Sequence, residues 1–181
     1  MRILIAYASK NGTARSCVER LVERLGKKDV TVVDLARKSV DPAEFDLIVF
    51  GSSVYFGKLR PQAHAFLKSY EQTLCEKKTV LFLCCGLEEE YDYYCEKLFS
   101  KRLRDSALQC IFFGGSLKTD GVPFFDKLIL RSMRSSLFEA DMDNGEYVAN
   151  LPTVLPENVD KLASQICTML SSPDFAKKIN N

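Results

Sequence analysis

Residues 2–14 read RILIAYASKNGTA, an apolar stretch that runs directly into a short polar loop. The segment from Arg2 to Ala8 shows no polar alternation after its first residue, which is typical of a parallel strand buried on both faces. An amphipathic run follows the loop, with apolar residues at helical spacing at Cys17, Val18, Leu21, Val22 and Leu25. Because N–H groups at the start of a helix attract anions, this strand–loop–helix unit predicts a phosphate cradle.

Strands and helices alternate along the rest of the sequence. Four further strands are predicted, at Val30 to Asp34, Asp46 to Gly51, Thr79 to Cys85 and Ala107 to Gly114. Helices are predicted at Pro61 to Leu74, near Tyr93 to Arg104 and at about Glu157 to Leu170, with a further helix start at Asp41-Pro42. The alternation predicts an α/β, doubly wound domain with right-handed crossovers. A phosphate loop after the first of five strands suits the flavodoxin-like parallel order 2-1-3-4-5, with an insertion after strand 5.

The composition is that of a globular protein without a strong electrostatic signal. Of 181 residues, 46% are hydrophobic and 27% are charged, and the formal net charge is +1. Contact with nucleic acid or a membrane would therefore need a local patch, and nothing in the sequence supports nucleic-acid binding. We expect a single domain over residues 1–170, with an insertion at about 117–138, and a C-terminal tail at 171–181. The oligomeric state is left open.

The cysteines and the first residues of the chain bear on its compartment. Seven scattered cysteines favour a reducing cytoplasm, and with His64 as the single histidine no metal site is predicted. His64 falls on a predicted helix surface and is interpreted as solvated rather than as a base. No apolar run reaches the ~18–20 residues of a transmembrane helix. Because strand 1 begins at residue 2, no cleavable signal is expected.

Three loops should meet where parallel strands 1, 3 and 4 end, since ligands of this strand order bind outside those carboxyl ends. The first loop, residues 9–14, offers hydroxyl, amide and backbone N–H groups for a phosphate. The second loop, residues 51–58, offers serines for a phosphate or a ring edge and aromatic side chains that can cover a flat ring. The third loop, residues 84–87, offers backbone groups to the other side of that ring. The predicted ligand is FMN, and its predicted contacts are Ser9, Lys10, Asn11, Gly12, Thr13, Ala14, Ser52, Ser53, Val54, Tyr55, Phe56, Gly57, Cys84, Cys85, Gly86 and Leu87.

Other classes with similar sheets lack their required residues here. A receiver domain needs acids at the ends of strands 1 and 3, which read Ala6-Tyr7-Ala8 and Phe50-Gly51-Ser52. A low-molecular-weight phosphatase needs a cysteine followed by an arginine six residues later in the first loop, and Cys17 lies inside the helix. The glycine patterns of Rossmann domains, P-loop NTPases and hydrolase elbows do not occur.

Three stretches carry a family resemblance: residues 9–14, residues 51–57, and the segment from Gly114-Gly115-Ser116-Leu117 through Phe124-Phe125-Asp126-Lys127. On these residues the chain resembles the flavodoxin-domain family, and it is most similar to the branch that contains menaquinone-dependent protoporphyrinogen dehydrogenase. The resemblance implies noncovalently bound FMN, with the first loop on the phosphate and the other two around the isoalloxazine. It also implies quinone and porphyrinogen-type small molecules as partners. The family usually carries a hydroxyl where this chain has Ala14, so one phosphate contact is missing or Thr13 supplies it.

The segment from Leu117 to Phe138 is about twenty residues longer than a minimal connection requires. On a helical projection Lys127, Arg131 and Arg134 lie within about 60° of arc, beside a broad apolar face. Such a face suits a membrane surface or a lipophilic partner, and it equally suits packing on the domain with solvated cations. With the family resemblance, the segment is interpreted as a substrate or peripheral membrane contact through Phe124, Phe125, Lys127, Arg131 and Arg134.

Two function classes follow from an FMN site. One is an FMN-dependent dehydrogenase that delivers electrons from a porphyrinogen-type substrate to a quinone, with the flavin carrying the chemistry and no protein acid or base assigned. The other is a flavodoxin-type electron carrier without its own small-molecule substrate. Cys84-Cys85 is interpreted as buried rather than as a redox pair. The acidic, tyrosine-rich stretch from Glu88 to Tyr94 is interpreted as a solvated loop or a rim of the flavin site.

Overall fold

The computed structural model describes residues 1–26, 29–86, 90–115 and 154–171. These residues form a parallel sheet with helices on both faces. The strands are β1 Ile3–Ala8, β2 Val30–Asp34, β3 Leu47–Tyr55, β4 Lys58–Leu59, β5 Lys78–Cys84 and β6 Gln109–Phe112. The helices are α1 Thr13–Leu25, α2 Pro61–Glu76, α3 Tyr91–Leu98, α4 Lys101–Ser106 and α5 Pro156–Ser171, with a 3₁₀ turn at Pro42–Glu44.

The sheet has the order β2-β1-β3-β5-β6, and all four of these neighbouring pairs are parallel. The short β4 pairs antiparallel with the end of β3 and lies off this path. Counting only the five parallel strands, the predicted order 2-1-3-4-5 and the α/β class are confirmed. The additional β4 was not predicted.

The core consists of two layers separated by the sheet. In β1, Ile3 and Ile5 pack with residues of α1 and α5 on one face, whereas Leu4 and Ala6 pack with residues of α2, α3 and α4 on the other. All six residues of β1 are buried. The missing polar alternation in this strand is therefore explained by cover on both faces.

The helix predicted from Tyr93 to Arg104 is two helices, which is a correction. Phe99 is extended and 1% exposed, and it anchors the break between α3 and α4 in the core. The next residue, Ser100, accepts a hydrogen bond from the Leu103 N–H through its hydroxyl and so caps α4. A buried aromatic residue followed by a serine cap is a local reason for the chain to end one helix and start another.

The chain leaves and re-enters the described fold at the same place. Gly114 pairs with Val154 in an isolated antiparallel bridge, and the N–H of Leu155 donates to the carbonyl of Phe113 at 2.9 Å. Residues 116–153 connect these two points. The insertion, its contacts Phe124, Phe125, Lys127, Arg131 and Arg134, the tail and Leu87 lie outside the described residues. Within the described ranges no helix is both long and apolar enough to cross a bilayer.

Candidate functional site

The strand register brings the three predicted loops to one edge of the sheet. Ala8 at the end of β1 pairs with Ser52 of β3, and Ser53 pairs with Cys84 at the end of β5. The first loop leaves β1 directly beyond Ala8. The carboxyl ends of these three central strands therefore surround one position, as ligand sites of this strand order require.

The first loop ends at the N-terminus of α1. Gly12 caps the helix with a left-handed φ of 87°, and nothing lies within 4 Å of the position that a Cβ would take there. The first bond of the helix runs from the N–H of Ser16 to the carbonyl of Gly12 at 2.8 Å. The N–H groups of residues 13–15 consequently have no acceptor within the helix, which suits a bound anion. Lys10 and Asn11 are exposed, and Thr13 and Ala14 are buried behind the turn.

Three buried hydroxyl groups lie in these loops without a hydrogen-bond partner among the described residues. They are the Oγ atoms of Ser9 and Ser53 and the phenol oxygen of Tyr55. A buried hydroxyl that makes no hydrogen bond costs about 1–3 kcal/mol. Since all three belong to the predicted contacts, a polar ligand at this edge would satisfy groups for which the described part of the chain offers no partner.

Ser52 differs from its neighbour Ser53. It is fully buried, its hydroxyl donates to the carbonyl of Ser53 at 3.0 Å, and it accepts from the N–H of Arg60 at 3.3 Å. These bonds fix the chain between β3 and α2. Ser52 is thus placed as a support of the second loop, whereas Ser53 carries an available hydroxyl.

The second loop is a hairpin rather than an irregular loop, which corrects the predicted end of strand 3. β3 continues through Ser52, Ser53, Val54 and Tyr55, and Val54 and Tyr55 pair with Leu59 and Lys58. The two turn residues, Phe56 and Gly57, have φ values of 49° and 67°. Positive φ at both positions matches the right-handed twist of a hairpin.

Aromatic and cationic side chains surround this hairpin. The ammonium of Lys10 lies 3.4 Å from the ring centroid of Tyr55, a cation–π contact that joins the first and second loops. The rings of Tyr55 and Phe56 are 4.3 Å apart, and Phe56 is 48% exposed. The hairpin therefore presents a large, partly exposed aromatic surface next to the three unpartnered hydroxyls.

The left-handed backbone of Phe56 predicts a gain in stability on substitution. A β-carbon at positive φ costs about 1–2 kcal/mol, and asparagine tolerates this region better than other residues with a β-carbon. Phe56→Asn should raise the free energy of unfolding by about 1 kcal/mol in urea denaturation. Phe56→Ala is the matched control, because it removes the ring and keeps the backbone cost. Equal stabilities of Phe56→Asn and Phe56→Ala would show that the backbone at Phe56 is not strained.

The third loop is formed by buried thiols and a close backbone contact. Cys84 and Cys85 are 2% and 4% exposed, so both side chains are buried. The thiol of Cys17 and burial together raise the pKa of Cys84, so Cys84 stays protonated at neutral pH. A Cβ on Gly115 would lie 2.1 Å from the carbonyl oxygen of Cys85. Only glycine therefore allows the chain that leaves β6 to pass this close to the third loop.

Helix α3 lies beside the turn of this hairpin. A Cβ on Gly57 would lie 3.4 Å from the Tyr94 ring and 3.5 Å from the Lys97 ammonium, which donates to the Tyr93 hydroxyl at 3.1 Å. Burial, followed by Glu90, raises the pKa of Tyr94 to about 12, so its phenol keeps its proton. Of the predicted rim, Tyr93 and Tyr94 thus reach the site's border. His64 is exposed on α2, as predicted.

Two cationic residues near the site were not predicted. Lys97 is one, and its position follows from the tertiary packing of α3. The other is Arg15 in the first turn of α1, whose guanidinium lies 3.2 Å from the Asp34 carboxylate. The hydroxyl of Tyr7, followed by Asp34, raises the pKa of Arg15. Arg15 could have been predicted, because the sequence shows a cation in the first helical turn after the expected phosphate loop.

The profile of the flavodoxin domain matches residues 4–142. The chain belongs to the flavodoxin domain family. No curated protein sequence matches it significantly.

Solved flavodoxins share the fold of this flavodoxin domain. Oxidised flavodoxin 1 from Bacillus cereus is 14% identical with a TM-score of 0.52, over 66% of this chain and 88% of that one. The Streptococcus pneumoniae TIGR4 flavodoxin is 14% identical with a TM-score of 0.52, over 93% and 99%. The Fusobacterium nucleatum flavodoxin, solved with bound flavin mononucleotide, is 13% identical with a TM-score of 0.49, over 93% and 99%. For the Bacillus cereus and Streptococcus pneumoniae structures, the likeness concerns the fold alone.

Proposed function

We propose that this protein binds FMN at the edge of the sheet where the three loops meet. The observation that carries the proposal is the set of buried hydroxyls of Ser9, Ser53 and Tyr55 beside the N-terminus of α1, which find no hydrogen-bond partner in residues 1–26, 29–86, 90–115 and 154–171. A flavin mononucleotide has the matching chemistry, with an anionic phosphate, a polar chain and a flat ring. Membership of the flavodoxin domain family supports the same ligand.

The described residues divide into groups with distinct roles in this proposal. The N–H groups of residues 13–15 and the Ser9 hydroxyl would hold the phosphate. Ser53 and Tyr55 would donate to or accept from polar atoms of the ligand, and the Tyr55–Phe56 surface would cover its ring. The backbone of the third loop, held by the close approach of Gly115, would limit the space on the other side. Bound FMN supplies the redox centre that accepts electrons from a reduced substrate and passes them on.

We further propose that the FMN-bound protein is a dehydrogenase, which takes electrons from a porphyrinogen-type substrate and delivers them to a quinone. The support is the sequence resemblance on residues 114–117 and 124–127. The formal net charge of +1 adds to it, because carriers that dock by electrostatic steering depend on a strongly charged surface. The alternative is a flavodoxin-type electron carrier, and the shared fold supports this alternative equally well.

FMN uptake tests the cofactor. Titration of FMN into apoprotein should quench flavin fluorescence with a stoichiometry of one, and the loaded protein should release FMN on denaturation. The control is Ser164→Ala, because the Ser164 hydroxyl bonds the Asp160 carbonyl on α5, away from the loops. A protein that takes up no FMN would overturn the proposal at its base.

Turnover separates the enzyme from the carrier. FMN-loaded protein, protoporphyrinogen and a menaquinone analogue are mixed without oxygen, and porphyrin fluorescence and quinol absorbance are followed together. A dehydrogenase gives both signals in a fixed ratio, since the electrons and protons lost by the porphyrinogen appear on the quinone. Apoprotein is the control. Tight FMN binding without turnover would favour the carrier.

A further inference from the structure

Two large aromatic side chains lie exposed at the border of the proposed FMN site. Phe56 at the hairpin turn is 48% exposed, and Tyr93 on α3 is 58% exposed. In the described part of the chain, the other exposed large hydrophobic residues are Val32 on β2 and Leu108 next to β6, at opposite edges of the sheet. Single exposed apolar residues are normal, whereas neighbouring aromatic rings beside a ligand site are typical of a binding surface.

Lys97 joins the two aromatic residues. Its ammonium lies 3.5 Å from the position that a Cβ on Gly57 would take, and it donates to the Tyr93 hydroxyl at 3.1 Å. The same ammonium lies 5.1 Å from the centroid of the Tyr93 ring. Phe56, Tyr93 and Lys97 therefore form one surface, the α3 surface. Since Phe56 also belongs to the proposed cover of the flavin ring, a molecule on the α3 surface would lie next to the flavin.

The backbone of Phe56 gives a second indication of binding. Its φ of 49° lies in the left-handed region, which residues with a β-carbon avoid. Its half-exposed ring does not recover this cost by burial in the core. Strained backbone that folding does not require is concentrated at functional sites. The conformation of Phe56 therefore indicates that its exposed ring has a role in binding.

Positive charge surrounds these exposed rings. No carboxylate of the described residues lies within ion-pair distance of Lys97, and its sequence neighbour Glu96 is paired with Arg104 at 3.7 Å. Lys58 is exposed in the hairpin itself, and Lys10 reaches the same hairpin from the first loop. Aromatic rings bordered by ammonium groups fit an apolar ring compound that carries carboxylates on its edge.

We propose that the α3 surface binds the electron donor through its carboxylates, and that Lys97 determines this specificity. The inference rests on the proposed dehydrogenase function, in which the donor is of the porphyrinogen type. Such a donor carries carboxylates on a large apolar ring, whereas a quinone carries none, so Lys97 discriminates between the two substrates. The ring of the donor lies against Phe56 and Tyr93, and one carboxylate accepts a hydrogen bond from the Lys97 ammonium. Lys97 contacts a side chain of the donor and not its reacting atoms.

The test uses the FMN-loaded full chain and a pair of probes. Mesoporphyrin carries free carboxylates, and its dimethyl ester has the same ring without the charges. Both are titrated in the same dilute detergent, and binding is followed by porphyrin fluorescence. Wild-type protein should bind the acid about fivefold more tightly than the ester, the upper end for a solvent-exposed ion pair, and added salt should reduce this difference. Equal affinities for the two probes, or no binding of either, would overturn the proposal.

Variants of Lys97 assign the effect to one side chain. Lys97→Gln keeps a hydrogen-bonding group near the Tyr93 hydroxyl and removes the charge, so it should bind the acid about fivefold more weakly and the ester as wild type does. Lys97→Arg should restore the affinity for the acid. Lys161→Gln is the matched control, because Lys161 is exposed on α5, which packs on the opposite face of the sheet from α3. If Lys97→Gln weakens both probes equally, or neither, Lys97 does not recognise the carboxylate.

Turnover separates this inference from the proposed function. In the anaerobic assay, Lys97→Gln should raise the KM for protoporphyrinogen about fivefold, with kcat and the KM for the menaquinone analogue unchanged. Turnover with an unchanged KM for protoporphyrinogen would retain the dehydrogenase and overturn the role of Lys97. Binding of mesoporphyrin that depends on Lys97, without any turnover, would instead retain the α3 surface and overturn the dehydrogenase.

Discussion

Replacing both Ser9 and Ser53 by alanine is expected to weaken FMN binding about a hundredfold while making the apoprotein more stable. Each hydroxyl is buried without a partner among the described residues, so its removal relieves a desolvation cost of about 1–3 kcal/mol in the absence of ligand. In the complex, each lost hydrogen bond should cost about 1.4 kcal/mol, a factor of ten in Kd, and two separate sites should add.

The measurement combines urea unfolding of the apoprotein with FMN titration of the same sample. Ser106→Ala is the matched control, because the Ser106 hydroxyl donates to the Leu103 carbonyl at 3.0 Å and its loss leaves no buried hydroxyl behind. That control should bind FMN as wild type does. Unchanged FMN affinity in the double alanine variant would show that the hydroxyls of Ser9 and Ser53 do not contribute to FMN binding.

Gly115→Ala is the second substitution with a large expected effect. Its Cβ would lie 2.1 Å from the oxygen and 2.4 Å from the carbonyl carbon of Cys85, and backbone atoms cannot rotate away as a side chain can. Overpacking of this kind costs about 1–3 kcal/mol, and we expect the upper end, about 3 kcal/mol of unfolding free energy. The displaced third loop should also lower FMN affinity.

Gly26→Ala distinguishes this steric effect from the ordinary cost of replacing a glycine. Gly26 has a φ of 65° and open space around its Cβ position, so its substitution tests backbone conformation alone and should cost about 1–2 kcal/mol. Urea denaturation curves of both variants measure the difference. If Gly115→Ala is as stable as Gly26→Ala, the backbone at Cys85 moves away from the added methyl group at little cost in free energy.

The regular parts of the fold could be predicted because their signals are local. The uniformly apolar β1, the helical spacing of α1 and the strand–helix alternation indicate a doubly wound sheet and the edge at which the three loops meet. The end of β3 could not be predicted in this way. Residues 51–53 interrupt the apolar run with Gly-Ser-Ser, and the hairpin turn uses Phe56, a residue that usually avoids positive φ.

The meeting of the three loops could be predicted from the strand order, whereas the roles of their residues could be predicted only in part. Residue type shows that Ser52 and Ser53 carry hydroxyls, but burial and partners decide that the first is bonded within the chain and the second is not. The break between α3 and α4 had a readable signal in Ser100, a preferred cap residue.

The antiparallel bridge between Gly114 and Val154 has a consequence for how such a protein diversifies. Gly114 and Val154 lie side by side in the fold. The entropy cost of closing a loop grows only slowly with the number of residues in the loop. Whole segments can therefore be exchanged between these two anchor points at little thermodynamic penalty. Selection can thus change the segment between Gly114 and Val154 while the sheet and its loops stay the same.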